Sequence, residues 1–395
     1  MQTFDWIVVG NGLAGAALGY ELSKQGLSVL LIEQSLEPES ATRYSYGGIP
    51  YWSGTTQLTT QLNEEGIIKH RQLSNELGAN TEFRELDLIL TIPATADADA
   101  IASAYDKFTG PQRLSAAEVH EREPLIKAEA IAGAVSFAHA HVSPRALVRA
   151  YNQAMQRHQG MLVIAPVTGL VRIKDKVTGV TTETQAYAAK QVAIAAGAFS
   201  RTLLQQARIN VPVYFTHAEL IQTPPLELKL RSLVMPAATQ RFQMEAKASR
   251  PETEPLWQVP GYEVVPPVLD SGVIQFQDGS LRIGQISRSL TALDAPVDSV
   301  QSEHQLRTAI GQQMPALQEV PGSWHRCHVS FSRDSLPLVG PIPGVTGVHV
   351  FTGFSSPFSL LPPIAERFAQ SRVSSPDPLL EQMLPSRFSD CSIKQ

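Results

Sequence analysis

The sequence predicts an α/β chain: a mostly parallel, doubly wound sheet, discontinuous in sequence, joined to a second, mostly antiparallel α+β unit. Three observations lead there. The opening WIVVGNGLAGAALGYELSKQGLSVLLIE sets two short apolar runs around a helix-like stretch, the order of a βαβ unit. Further apolar runs of the same kind return much later, at QVAIAAG and near 346–352. Between them lie alternating stretches such as QFQDGSLRIGQIS, a strand pair around the Asp278-Gly279 turn. A chain of 395 residues exceeds most single cores, which fits two packed units.

The elements follow in order. After Glu33, SLEPESATRYSYGGIPYWSGTT reads as a loop, 57–80 as a helix and FRELDLILTI as a strand. An Ala-rich helix is expected at about 97–108. LSAAEVHEREPLI has a Ser cap, a short helix and a Pro exit. AIAGAVSFAHAHVSP reads as a strand pair running into the helix RALVRAYNQAMQRHQG. Residues 161–197 form successive strands, 211–295 are Pro-rich and strand-like, and a helix lies near 298–313. The tail from about 371 is polar and loop-like. These elements place 1–83, 143–215 and 325–370 in the first unit, and 84–142 and 216–324 in the second.

Composition excludes several classes of function. The net charge is −5 with no run of Lys and Arg, which argues against nucleic acid as the main partner. Two cysteines, Cys327 and Cys391, make no disulfide framework, there is no CxxC, and no metal site is read. A reducing interior is the expected setting. No apolar stretch reaches the roughly 18 residues of a membrane span. The opening lacks a basic n-region and a cleavage site, so the expected location is cytoplasmic.

The opening carries the chemistry. Gly10 permits the tight turn after the first strand, and Gly12 lets backbone approach a pyrophosphate. Leu13 and Ala14 begin the helix whose N-terminus faces that anion, and Gly15 lets helix and strand pack closely. Glu33, 18 residues after Gly15, ends the second strand where a carboxylate accepts hydrogen bonds from a ribose, with Gln34 beside it. A glycine-rich helix start without a ligand leaves three unhelpful glycines unexplained. No second GxGxxG occurs, so one dinucleotide is expected.

With these residues in view, the chain resembles the D-amino-acid-oxidase-type FAD-dependent oxidoreductases, which include glycine oxidase and sarcosine oxidase. The resemblance runs over nearly the whole chain: the opening fingerprint, SATRYSYGGI, EPLI…GAVSFAHAHVSP, VAIAAGAFS and SRDSLPLVGPIPGVTGVHVFTGFSSPF. It implies a Rossmann-like FAD-binding domain with pyrophosphate at Gly10, Gly12 and Gly15 and ribose on Glu33. It implies that Thr42, Arg43, Gly47, Gly48 and Ile49 lie along the flavin, Val167 meets the adenine and Gly197 lies near the pyrophosphate. It brings Gly353, Phe354, Ser355, Ser356, Phe358 and Ser359 to the pyrimidine end of the ring. There a helix start stabilises negative charge on the reduced flavin, and Pro357 fits the first helical turn.

The departures from the family matter as much. Relatives that bind amino-acid carboxylates carry an Arg where this chain has Val329. Sarcosine-oxidase-like members carry a Lys and a His where this chain has Pro357 and Phe354. A buried carboxylate without a cation costs on the order of several kcal/mol, so a carboxylate substrate needs another anchor. Arg43, Arg241, Arg288 and Arg333 are the candidates, and spacing singles out none. Cys327, seven residues before Asp334, stands where sarcosine-oxidase relatives bond the flavin's 8-methyl carbon; Arg326 and His328 beside it are candidates to lower its pKa. The competing reading is a small buried cysteine.

Three side chains are candidate catalytic groups: His217 as a base for an amine, Arg43 and Tyr46. For His217 a packed structural role competes. Tyr44, Tyr46, Tyr51 and Trp52 form an aromatic cluster suited to wall a pocket, although core packing also explains aromatics. The expected function is oxidation of a C–N bond of an amino acid or amine by hydride transfer to flavin N5. The imine formed then hydrolyses, and oxygen or a quinone is the electron acceptor. Alternatives are oxidation of a 2-hydroxy acid, a flavin-binding subunit without turnover, and an ordinary NAD dehydrogenase.

Overall fold

The computed structural model describes residues 3–238, 240–389 and 391–393. Positions 390, 394 and 395 of the expected tail, and 239 of the second unit, lie outside them. The first sheet runs, in spatial order, through Leu338–Pro341, Val348–Thr352, Ala186–Ile194, Thr3–Val9, Val29–Glu33 and Met161–Ile164. Its central pairings are parallel, and only the Leu338–Pro341 edge is antiparallel along this path. Ile7, Val8, Leu30 and Leu31 are fully buried, as expected where helices cover both faces of a parallel sheet.

The first helix, Leu13–Lys24, packs beside Pro144–Arg157 and Pro357–Gln370. It starts hard against the end of the first strand. A Cβ on Gly15 would lie 1.7 Å from the Gly10 carbonyl oxygen, so only glycine permits this contact. Gly10 itself sits at φ +99°, a left-handed geometry that other residues rarely adopt.

The second sheet orders Ser323–Ser332, Val213–Gln222, Leu281–Arg288, Val268–Gln275, Leu233–Pro236, Arg84–Pro93, Ile131–His141 and Gly48–Ile49. It is antiparallel except where Leu233–Pro236 runs parallel to Arg84–Pro93. Strands Val213–Gln222 and Ser323–Ser332 pair along their whole length in this sheet. The boundaries drawn from sequence at 215/216 and 324/325 therefore cut through strands. The chain crosses between sheets nearer 212 and 333, because ladder pairing, invisible in local composition, holds each strand together.

Four local readings change. AIAGAVSFAHAHVSP is one continuous strand, Ile131–His141, because it pairs with Arg84–Pro93 over nearly its whole length. The Ala-rich helix is only Ala98–Ser103; beyond it Tyr105 and Phe108 turn to pack on Phe137. The Pro-rich segment contains an unforeseen helix, Arg241–Ala248. The tail is also structured: Asp377 caps a short helix, Pro378–Glu381, and pairs with Arg367 at 2.7 Å. Leu380 and Met383 join the main core, and Arg387 makes a two-pronged bond to Asp334 at 2.8 and 2.9 Å.

That last contact titrates. Burial pushes the Asp334 carboxyl up, but hydrogen bonds and charge from Arg387, with Leu336 and Ser332, bring it below the usual carboxylate value. A depressed carboxylate adds stability above its unfolded pKa and loses it as pH falls through the folded one. Arg387→Ala is expected to lower Tm at pH 7 by an amount equivalent to about 1 kcal/mol after solvent screening. The gap to wild type should close as pH drops below 4, which thermal scans across pH will read.

Candidate functional site

A cavity of about 1180 Å³ runs from the glycine turn of the first sheet to the face of the second. Single small-molecule sites occupy roughly 300–1,000 Å³, so this one has room for a dinucleotide and a second molecule. Its first half is backbone-rich. Gly10, Gly12, Leu13 and Ala14 line it, followed by Glu33 and Gln34, then Thr42 and Gly48. Val167 and Gly197 close the far side, and Phe354, Ser355, Ser356 and Phe358 bring in the last helix.

Other expected contacts act from behind. Gly15 shapes Gly10 without reaching the cavity, and a Cβ on Gly47 would collide with the Val142 carbonyl at 2.1 Å. Ile49 is fully buried in the main core, and Gly353, at φ +80°, turns the chain into the helix start. Ser359 is fully buried in the first turn of that helix; a Cβ on Gly66 would lie 1.8 Å from its carbonyl oxygen.

The helix starts have a shared property. Among the described helices of eight or more residues, Thr56, Ser143 and Asp298 each accept a backbone N–H as the N-cap side chain, and Asp270 closes the start of Arg241–Ala248 from another strand. Leu13–Lys24, Phe199–Gln206 and Pro357–Gln370 have none. All three begin at the cavity. Phe199 N and Ser200 N already donate to the Ala196 and Gly197 carbonyls, so these starts offer an anion their positive dipole ends and the remaining N–H groups. Thr42 Oγ1 accepts from Leu13 N at 3.0 Å, fixing the loop to the first of them. Glu33 accepts from Asn11 N at 2.6 Å and Gln34 N at 2.8 Å, one bond per oxygen. Each oxygen keeps a lone pair for a hydroxyl.

The candidate catalytic groups fare differently. His217 does not line the cavity. Strand alternation turns it away, while Ala218 and Leu220 face the cavity; its ring meets edge-on, at 4.5 Å, that of His328, which itself lines the cavity. Burial, then the charges of His328 and Arg326, push its pKa down to about 3. Arg43 also points elsewhere, between Glu37 and Glu39 at 3.5 and 3.4 Å. Tyr46 lines the cavity, but its hydroxyl donates to the Gly284 and Gly272 carbonyls at 2.5 and 3.2 Å. Burial raises its pKa, so it braces the second sheet. Tyr44 and Trp52 wall the cavity as expected, whereas Tyr51 packs on the core.

Cys327 lines the cavity beside Tyr44 and Ala218. Its strand neighbours do not activate it. Arg326 binds the Ala295 carbonyl, and the His328 ring packs on His217 and is kept neutral by burial. Burial pushes the Cys327 thiol up to about 12, opposed by Arg241. This corrects the expectation of a lowered pKa.

Val329, Phe354 and Pro357, the three positions without the family's cations, all line the cavity. Of the four candidate anchors, Arg241 alone joins them. Arg288 is bound to Glu219 at 2.6 Å, and Arg333 donates to Ser249 O and Tyr214 OH. Arg241 begins its helix, donates from Nε to Glu245 at 2.8 Å and from Nη2 to the Ser355 carbonyl at 3.1 Å. Its Nη1 has no hydrogen-bond acceptor among the described residues. Spacing could not single it out, because its helix was hidden in a Pro-rich segment.

Comparison with known proteins decides the family. The model of the FAD dependent oxidoreductase (DAO) family matches residues 5–371. The chain belongs to that family. An uncharacterized oxidoreductase of Bacillus subtilis, YurR, is 25% identical over 370 residues, covering 89% of this chain and 90% of its own. Glycine oxidase of Pseudomonas aeruginosa is 22% identical over 95% of this chain and 96% of its own. The glycine oxidase structure from Geobacillus kaustophilus superposes with TM-score 0.78 at 20% identity, over 98% of this chain and 100% of that one. Its likeness fixes the two-sheet fold. No helix among the described residues is long and apolar enough to cross a membrane.

The residues present fit FAD: glycines shaped for close backbone approach, three helix starts without an N-cap side chain, and Glu33 with lone pairs to give. We therefore assign Glu33 to the ribose and the glycine turn to the pyrophosphate. Glu33→Ala should weaken FAD binding by about 10-fold or more, in line with loss of hydrogen bonds to a charged group, measured by titrating FAD into deflavinated protein. Because Cys327 is held as a thiol, acid precipitation of the holoenzyme should leave flavin in the supernatant. Yellow protein in the pellet would contradict this.

Proposed function

We propose that this FAD-dependent oxidoreductase oxidises the C–N bond of an amino acid with a bulky apolar side chain, and that Arg241 anchors the carboxylate. The observation that carries the reading is Arg241 at the cavity, fixed by Glu245 and by Ser355 at the start of the last helix, with Nη1 unspent. Glu245 holds the guanidinium in one orientation; charge-assisted bonds of this kind are the strong ones. The three positions where relatives carry cations are Val329, Phe354 and Pro357 here, so the anchor has moved to another part of the cavity.

The opposite wall sets the side-chain preference. Leu88, Leu90, Leu233 and Met235 of the second sheet face Ile101, Tyr105 and Phe108. Such a chamber gains about 25 cal/mol per Å² of apolar surface it covers, which favours large side chains over glycine or sarcosine. FAD, when bound, accepts hydride from the carbon bearing nitrogen and passes the electrons to oxygen or a quinone. The protein binds the carboxylate, orients the carbon and excludes water. The imine released is then hydrolysed. His139, the histidine in the substrate half of this wall, is pushed down to about 3 by burial. Burial likewise pushes His328, which also lines the cavity, down to about 4, so neither is poised to take a proton and the amine arrives neutral.

Anaerobic flavin bleaching tests the reading. Bulky apolar amino acids should reduce the flavin, and the matching 2-hydroxy acids should not; the reverse pattern would favour the C–O reading. Arg241→Met should raise KM for the amino acid by about 30-fold or more, as loss of one partner of a buried charge pair predicts. The corresponding amine lacking a carboxylate should be unaffected.

A further inference from the structure

We propose that His139 is a ligand-binding residue whose Nε2–H donates a hydrogen bond to an acceptor atom of the molecule held in the cavity. The inference rests on the cavity being the cofactor and substrate site, and goes beyond it by assigning a donor that neither the motifs nor the anchor argument supplies.

The ring's proton position follows from one contact. Trp52 Nε1, which can only donate, lies 3.2 Å from His139 Nδ1. Nδ1 must therefore accept. The ring is 3% exposed and burial keeps it neutral, so its single proton sits on Nε2. Trp52 is itself locked, stacked on Phe137 at 3.8 Å and 9°. The tautomer is thus set by an aromatic clamp rather than by solvent.

Nε2 has no partner among the described residues. A buried donor left unpaired costs about 1–3 kcal/mol, and His139 lines the cavity, where a ligand removes that penalty. Gly48 supports the assignment. A Cβ there would come within 2.8 Å of His139 Nε2 and 3.1 Å of Leu233. Gly48 is absent from the positive-φ glycines, so backbone geometry does not demand glycine. A side chain at 48 would seal the donor, and its absence leaves the N–H edge open. His141 is a useful contrast: on the same strand face, it is buried with both ring nitrogens unpaired, yet it packs on Phe276 and does not line the cavity.

The acceptor belongs either to FAD or to the substrate, and two probes separate them. FAD is titrated into deflavinated protein, and benzoate into oxidised holoenzyme with the visible flavin spectrum as readout. His139→Phe should weaken one of these by about 10- to 100-fold, as loss of a bond to a charged or strongly polar acceptor predicts. FAD loss places the acceptor on the cofactor, and benzoate loss alone places it on the substrate carboxylate. His139→Asn, which can accept from Trp52 and still donate, should recover most of the loss. In 15N-histidine-labelled wild type, the His139 Nε2–H proton should move downfield when the responsive probe is added. Unchanged affinity for both probes in His139→Phe overturns the proposal. If that variant does not fold, a His139 Nε2–H resonance unmoved by FAD and by benzoate overturns it. Arg241→Met in the same benzoate titration keeps the two ideas apart: loss there without loss in His139→Phe supports the anchor alone, and the converse supports His139 alone.

Discussion

The missing methyl group at Gly15 is the constraint on which the site's geometry depends. With its position 1.7 Å from the Gly10 carbonyl for any Cβ, the first helix begins directly over the end of the first strand. Its N-terminus is then aimed into the cavity with no side chain at its N-cap, Gly12, and Thr42 of the adjoining loop meets only the Leu13 N–H. The same economy recurs at Gly66, which lets the Gln57–Glu76 helix press against the Ser359 carbonyl and so sets the last helix start. Helix ends that would elsewhere carry a Ser, Thr or Asp N-cap residue converge on one space instead. Their positive dipole ends, and the N–H groups beyond those met by Thr42, Ala196 and Gly197, are left for an anionic ligand, which links cofactor binding to folding stability.

The second sheet contributes through parity. Side chains on a strand alternate between faces, so neighbours in sequence belong to different environments. On Ser323–Ser332, Cys327 and Val329 pack with Tyr44 and Ala218, whereas Arg326 binds the Ala295 carbonyl and the His328 ring packs on His217. On Val213–Gln222, Ala218 and Leu220 face the cavity, and His217 and Glu219 face away. Burial then sets the ionisation. Histidines behind or within this sheet are held neutral, and the thiol is held protonated, because desolvation penalises the charged form. Proximity in sequence to a charge does little when the charge lies on the other face.

Charge inside the cavity is correspondingly sparse and well placed. Arg241 is fixed by Glu245, which also accepts from Thr216 at 3.0 Å, so the guanidinium is anchored through the second sheet. Asp270 accepts from the backbone N–H groups of Gln240 and Arg241 and closes that helix start. The result is an oriented guanidinium at an apolar chamber whose lining also includes Lys107 and the neutral ring of His139.

Much of this was legible in the sequence. The order strand, glycines, helix, strand, acid requires specific residue types at fixed spacing, so the nucleotide half of the site, from Gly10 to Glu33, could be read locally. The ending SRDSLPLVGPIPGVTGVHVFTGFSSPF likewise marked the last strand and helix start. Substrate-side residues left no such mark. The AHAH alternation of His139 and His141 was a period-two signal that one continuous strand explains, but only the three-dimensional pairing shows that one histidine reaches the cavity and the other does not. Arg241 differs from Arg43, Arg288 and Arg333 in nothing that spacing records; long-range partners alone separate them. Local sequence determined backbone shape, because turns and helix starts depend on neighbours a few residues away. The tertiary structure decided which side chains share the cavity and which protons they keep, because burial and partners there come from residues a hundred positions distant.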